Sequence, residues 1–246
     1  TRCVENAHMI QLRDSEYHHV PVVEVLKEMM SYGDGCTVSA KKDFMVNMGG
    51  FLCCNSDELA EKFKDMLRIW EGDITTGGLD PKDIEALRLG LLDSLDDDYI
   101  ASRVAQTQRL GDKLKKAGIP IVNPPGSHAI FLNVKEFLPH IDQDEYPAQA
   151  LASAIFIETG VRAMERGNVS KGRDPKTGEN YRPALELVRL TIPRRVYTNS
   201  HFDFVVEGLK RLWKHREKIS GLEFVYEPKV LRFFQSRFKP KSSWDF

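Results

Sequence analysis

Two adjacent lysines interrupt an otherwise apolar stretch. Lys41 and Lys42 stand in Ser39-Ala40-Lys41-Lys42-Asp43, after the small and apolar run Gly35 to Ala40 and before a second run, Phe44 to Leu52. Both flanks read as short, largely buried strands. A lysine held between such segments loses solvation, which favours the neutral amine, and a neighbouring ammonium adds to the effect. A free amine attacks carbonyls. The chemistry to test is therefore a Schiff base, as in a pyridoxal phosphate lysine. In an extended segment successive side chains face opposite ways, so one lysine of the pair faces a given pocket, and spacing does not choose which. The plainer alternative is a solvated pair at a strand end, because lysines usually stay exposed.

Other residues carry weaker signals. Arg189 lies in Leu187-Val188-Arg189-Leu190-Thr191-Ile192, where alternation puts Leu187, Arg189 and Thr191 on one face. A half-buried guanidinium there suits a substrate carboxylate or, equally, a structural ion pair. Arg166 ends Val161 to Gly167 and by pattern alone is a loop arginine in solvent. Phe233-Phe234 read as core or docking aromatics, and His128 as a satisfied core histidine. His8 and His18-His19 have no partner at metal-ligand spacing.

These residues need elements to position them. Ser56 caps a helix with Leu59, Phe63, Met66, Leu67 and Trp70 as its apolar stripe. Asp80-Pro81 opens a second helix, burying Ile84, Leu87 and Leu91. Asp96-Asp97-Asp98 caps a long third helix with Ile100, Val104, Leu110 and Leu114, ended by Gly118. Strand-like Ile119 to Val122 and His128 to Leu132 follow, joined by the turn Pro124-Pro125-Gly126. Then come a helix from about Ala148 to Thr159, a short strand near Val161 to Met164 and an exposed polar loop from Asn168 to Arg182. A strand Leu185 to Ile192, a helix from Ser200 to about Lys218 and a strand Leu222 to Tyr226 complete the order. The alternation argues α/β or α+β, with a domain boundary near residue 95.

Composition narrows the classes. The 246 residues carry 35 basic and 36 acidic side chains, so no charge excess points to nucleic acid. The basic stretch Lys229 to Lys241 reads as a packed tail, with a nucleic-acid arm second. Four cysteines, Cys3, Cys36, Cys53 and Cys54, show neither metal spacing nor a disulfide framework. Cys53-Cys54 read as small core residues in a reducing compartment. No apolar run approaches the ~20 residues that span a bilayer, and no signal peptide is read. The expectation is a cytoplasmic protein without a membrane partner. The chain opens on Thr1-Arg2 rather than methionine, which is expected of a fragment or a processed product.

Several longer strings belong to one pattern: Thr1 to Ala7, Ser39 to Asp43, Asn47 to Cys53, Val188 to Thr198 and Tyr226 to Phe234. Nearly end to end, the chain resembles the C-terminal half of the aromatic amino acid β-eliminating lyases, the family of tyrosine phenol-lyase and tryptophanase. The resemblance implies a fold-type I pyridoxal phosphate enzyme of the aspartate aminotransferase superfamily. Residues 1–95 would be the C-terminal portion of the cofactor-binding large domain, and residues 96–246 the small α+β domain. It further implies that Lys42 is the Schiff-base lysine and the base for the substrate α-proton, with Lys41 beside it. Ser39 would contact the cofactor phosphate and Arg2 would lie near the cofactor's phenolic oxygen. Arg189 would take the substrate α-carboxylate. A potassium ion at a subunit interface would be held in part by the backbone carbonyl of Asn47, in a homotetramer.

Within the family, Met164-Glu165-Arg166-Gly167 is similar to tyrosine phenol-lyase, where the arginine engages the phenolic hydroxyl. Phe233, beside Phe234, also matches that enzyme, since tryptophanases place a histidine there. Gly172 to Gly178 is closer to tryptophanase. The implied reaction is cleavage of tyrosine to phenol, pyruvate and ammonia. The alternatives are the tryptophan reaction giving indole, and a truncated, non-catalytic chain. Two positions depart from the pattern: Thr76 replaces a tyrosine and Asp73 an apolar residue. The family's aspartate for the pyridine nitrogen is expected two residues ahead of Thr1.

Overall fold

The computed structural model describes residues 2–72 and 78–246, and the chain divides into two units, Thr1–Ala105 and Gln106–Phe246. The first begins with helices Cys3–Arg13 (α1) and Val22–Ser31 (α2), packed against each other. Strand Gly35–Ser39 (β1), one helical turn Ala40–Asp43 (α3) and strand Gly50–Cys54 (β2) follow. β1 and β2 pair antiparallel, from Gly35 opposite Cys54 to Ser39 opposite Gly50. Val4, Ala7, Val22, Val25, Ala40, Phe44 and Ile100 form the core beneath them. The lysine pair therefore sits on a helical turn rather than in extended chain.

Capping residues act where their chemistry requires. Ser56 Oγ accepts the Leu59 N–H at 3.3 Å to start Asp57–Glu71 (α4). Asp80 accepts the Lys82 N–H at 3.1 Å ahead of Pro81–Ser94 (α5), with proline in its first turn. The expected apolar stripe of α4 is present but uncovered: Met66 is 51% and Trp70 75% exposed. Leu52 and Cys53 are exposed too. Burial of the two strands was expected, and it fails because among the described residues they form a two-stranded ribbon with no third strand. On α5, Leu87 and Leu91 pack on the core while Ile84 is exposed.

Helix α5 fixes the segment that leaves the lysine turn. Ser94 Oγ donates to the Gly90 carbonyl at 2.6 Å and accepts the Met45 N–H at 3.0 Å. The Met45 N–H also reaches the Gly90 carbonyl at 3.2 Å. This approach is close enough that a Cβ on Gly90 would lie 2.6 Å from the Met45 carbonyl oxygen.

Helix Asp97–Lys116 (α6) opens with Asp96 accepting the Tyr99 N–H at 2.8 Å and stops at Gly118, whose φ is 73°. The division between units falls within α6, past the boundary expected near residue 95, since Ile100 belongs to the first core. The second unit continues with strand Ala129–Asn133 (β3), turn Val134–Phe137 (α7), helix Pro147–Thr159 (α8), strand Met164–Arg166 (β4) and turn Asn168–Lys171 (α9). Strand Leu187–Thr191 (β5), helix Asn199–Lys214 (α10), strand Leu222–Tyr226 (β6), turn Arg232–Gln235 (α11) and strand Arg237–Pro240 (β7) complete it. The order β3-β5-β4 makes an antiparallel sheet, and β6 pairs with β7. Val188 and Leu190 of β5 join Leu151, Ile155, Leu209 and Leu212 of α8 and α10 in one core. The basic stretch Lys229 to Lys241 is packed only in part: Phe238 of β7 meets Phe224 at 4.4 Å in a tilted contact, while Val230, Leu231 and Phe234 are exposed. Among the described residues no helix is long and apolar enough to cross a membrane.

Gly90→Ala should force α5 away from Met45 and cost about 1–3 kcal/mol, the usual range for overpacking. A drop in the urea unfolding midpoint measures it; an unchanged midpoint would show that α5 is not seated there.

Candidate functional site

Of the residues singled out in the first unit, Lys41 and Lys42 lie on α3, and Ser39 stands at its N-cap. Asp43 is only 2% exposed, and its Oδ1 accepts the Cys3 N–H at 2.7 Å together with the N–H of Arg2. These are N–H groups that the start of α1 leaves without helical partners. Burial and then the Asp43 charge push the Cys3 thiol up to about 12, so it stays protonated and inert. Arg2 adopts left-handed backbone, φ 78°, and its Nη1 donates to the Lys42 carbonyl at 2.6 Å. Arg2 also faces Glu5 at 3.5 Å, and Arg103 approaches the same carboxylate at 3.6 Å.

With Asp43 turned inward, Lys41 and Lys42 are both exposed. The alternation argument for the pair does not apply, because successive residues on a helical turn are only about 100° apart. Desolvation by the flanking strands is likewise not supplied by the described residues. Ser39 is half-buried at the start of the turn and makes no capping hydrogen bond. Ser39 and Lys41 thus share one turn with Lys42, Arg2 donates to the Lys42 carbonyl, and the Asp43 carboxylate at the end of the turn is buried. That donor set fits an anionic aldehyde such as pyridoxal phosphate. Asn47 is exposed in the connection to β2. Cys36 and Cys53 face each other with sulfurs 3.2 Å apart, and Cys53 is a surface residue of the ribbon rather than a core one.

In the second unit, β5 pairs Arg189 with Met164 and Leu187 with Arg166. Directly paired residues point to the same side of a sheet, so Arg189, Met164, Leu187 and Arg166 share one face. Val188, Leu190 and Glu165 occupy the buried one. Arg189 Nη2 lies 3.0 Å from the Met164 sulfur. The exposed Arg166 guanidinium stands 5.5 Å from the centroid of Phe233, whose ring meets Phe234 edge-on at 5.0 Å. The arginine read as a solvent loop residue is therefore paired with an aromatic ring.

Two buried acids behind this face went unread in the sequence. Glu165, 2% exposed, accepts the N–H groups of Gly167 at 2.7 Å, Val169 at 3.1 Å and Ser170 at 3.0 Å. Glu186, 1% exposed, accepts from Gln143 Nε2 at 2.8 Å. Its other oxygen has no hydrogen-bond partner. Burial raises both, and with Glu165 nearby Glu186 is pushed up to about 7. Alternation about Arg166 was the signal that could have placed Glu165 inward. The turn α9 corrects the expected exposed loop, since Asn168 and Val169 are buried; residues beyond it are mostly exposed.

His128 is half-buried beside Ser127, 3.5 Å away. Among the described residues no group of three or more His, Cys, Asp or Glu could hold a metal ion. Asp73 and Thr76 lie outside the described residues.

The class follows from fold and family together. The mixed α/β fold is shared with a fold-type I enzyme, a solved structure described as SPT with PLP internal aldimine. The two are 15% identical, with a TM-score of 0.51, covering 78% of this chain and 43% of that one. A family model, Beta-eliminating lyase, matches residues 1–208, and the chain belongs to that family. Among its relatives is the tyrosine phenol-lyase of Pasteurella multocida, 57% identical over 242 residues, which are 98% of this chain and 53% of the relative. That of Symbiobacterium sp. gives the same figures. The chain spans about half the length of the curated relatives it matches.

Glu186 sets a pH dependence. Between the ordinary carboxyl value of 4.5 and about 7, the folded chain holds a proton that the unfolded chain has released. Its contribution, about 3 kcal/mol for such a shift, is complete below 4.5 and lost as pH rises through 7. The melting temperature should fall from pH 5 to pH 8, and Glu186→Gln should flatten that slope. An equal slope in the variant would refute the assignment.

Proposed function

We propose that this chain carries the reactive lysine and the substrate-recognition residues of an enzyme that cleaves tyrosine to phenol, pyruvate and ammonia. Pyridoxal phosphate, when bound, supplies an aldehyde that condenses with amines and a ring that withdraws electrons from the substrate Cα. Lys42 Nζ would hold the aldehyde and, as a free amine, would take the substrate Cα proton. Its exposure on α3 supports that role, since the amine must exchange partners and reach a substrate. Ser39 serves the phosphate, and Lys41 stands beside the site and tunes it. Arg2 serves the phenolic oxygen of the cofactor, while its hydrogen bond to the Lys42 carbonyl steadies the turn.

In the second unit, Arg189 binds the substrate α-carboxylate through its planar fork. Arg166 donates to the phenolic hydroxyl, and Phe233 and Phe234 wall the ring. The observation that carries the tyrosine assignment is the Arg166 guanidinium held over Phe233. It puts a fixed donor and an aromatic surface side by side, the pairing a phenol requires. An arginine left unpaired by a substrate without the hydroxyl is costly, so tryptophan is the disfavoured substrate. The Asn47 carbonyl contributes one ligand to a potassium ion. The homotetramer and a cytoplasmic setting are carried over with the family.

Borohydride reduction in the presence of pyridoxal phosphate should leave a stable adduct on Lys42, located by peptide mapping, and none in Lys42→Arg. An unlabelled Lys42 would favour a non-catalytic chain. Arg166→Ile should lower kcat/KM for tyrosine by about 100-fold or more, given how strongly sites built for a hydroxyl discriminate. An unchanged value would remove Arg166 from recognition.

A further inference from the structure

Arg232 immediately precedes Phe233, yet its side chain turns away from the aromatic pair and is only 10% exposed. Leu231 before it has φ 60°, a conformation L residues seldom adopt unless the surroundings hold it. Here the holding is visible. Arg232 Nη1 donates to the Asn168 carbonyl at 3.3 Å and Nη2 to Asn180 Oδ1 at 2.7 Å. Nε faces Glu227 at 2.8 Å, and Glu227 is held in turn by Arg173 at 2.6 Å. The guanidinium also lies over Phe224 at 5.0 Å and Tyr146 at 5.7 Å.

Asn168 is two residues beyond Arg166, in the turn whose N–H groups Glu165 collects. A closed circuit results. The chain links Arg166 to Asn168, a hydrogen bond links Asn168 to Arg232, the chain links Arg232 to Phe233, and the ring contact returns to Arg166. Three separate partners, two through hydrogen bonds and Glu227 through charge, hold the planar fork. We propose that Arg232 is a positioning residue that sets Arg166 against Phe233 and thereby governs recognition of a phenolic hydroxyl. This rests on the recognition role assigned to Arg166. Arg232 makes no contact with the reacting atoms and acts only through the geometry of the pair.

The test compares Arg232→Met, Arg232→Lys and Arg166→Ile in the holoenzyme. Tyrosine is set against β-chloroalanine, whose chloride departs without any ring to recognise, and phenol binding is measured by calorimetry. Arg232→Met should lower kcat/KM for tyrosine by about 100-fold, the scale of a small misplacement, and weaken phenol binding. β-Chloroalanine turnover should stay within about twofold. Arg232→Lys keeps the charge without the planar fork and should fall between, and it carries the test if the methionine variant does not fold. Parallel losses on both substrates, or unchanged tyrosine kinetics, would overturn the proposal. If Arg166→Ile also spares tyrosine, the recognition role fails and the proposal with it. If Arg166→Ile is selective and the Arg232 variants are not, only the positioning role is lost.

Discussion

A carboxylate removed from water must be met by donors, and Asp43 finds them at the start of α1. That one satisfied burial decides the posture of the lysine turn. Because the acid at the end of α3 faces in, the two lysines before it face out. Because α1 begins against that acid, Arg2 is placed to hold the Lys42 carbonyl. Burial, and then the same carboxylate, raise the Cys3 thiol further above neutrality, so no competing nucleophile arises there. On the far side, Gly90 and Ser94 of α5 seize the backbone as it leaves the turn. The lysine is exposed at its tip and fixed at its root, which suits the role proposed for its amine.

The second unit uses the same device with a different outcome. Glu165 is buried by satisfying three N–H groups of the turn that follows Arg166. Its neighbour Arg166 is thereby presented on the opposite face of β4, beside Arg189. Glu186 is less fully satisfied, with one oxygen unpartnered. Its elevated proton affinity is the consequence of burial and then of the Glu165 charge nearby.

Local signals in the sequence were reliable wherever the physics is local. Ser56, Asp80 and Asp96 cap the helices expected of them. Strict alternation put Arg189 and the buried Val188 and Leu190 on opposite faces of β5. Lys42 was visible as chemistry only as one member of a pair; choosing it over Lys41 required the surrounding strings. Burial was misread where no described residue covers the surface, as on the stripe of α4 and the β1-β2 ribbon. Contacts between distant segments were not legible at all. Arg232 sat inside a basic tail and Asn168 at the head of a polar loop, and nothing in their spacing links them. The ring contact of Arg166 was hidden for the same reason, since Phe233 lies 5.5 Å from a side chain far away in sequence.

The most direct test is to give the holoenzyme tyrosine and tryptophan in separate reactions and measure pyruvate released. A donor fixed over an aromatic ring predicts release from tyrosine far in excess of that from tryptophan, with phenol in equal amount. Preferential release of indole and pyruvate from tryptophan would contradict the central assignment of Arg166 and Phe233 to a phenolic substrate.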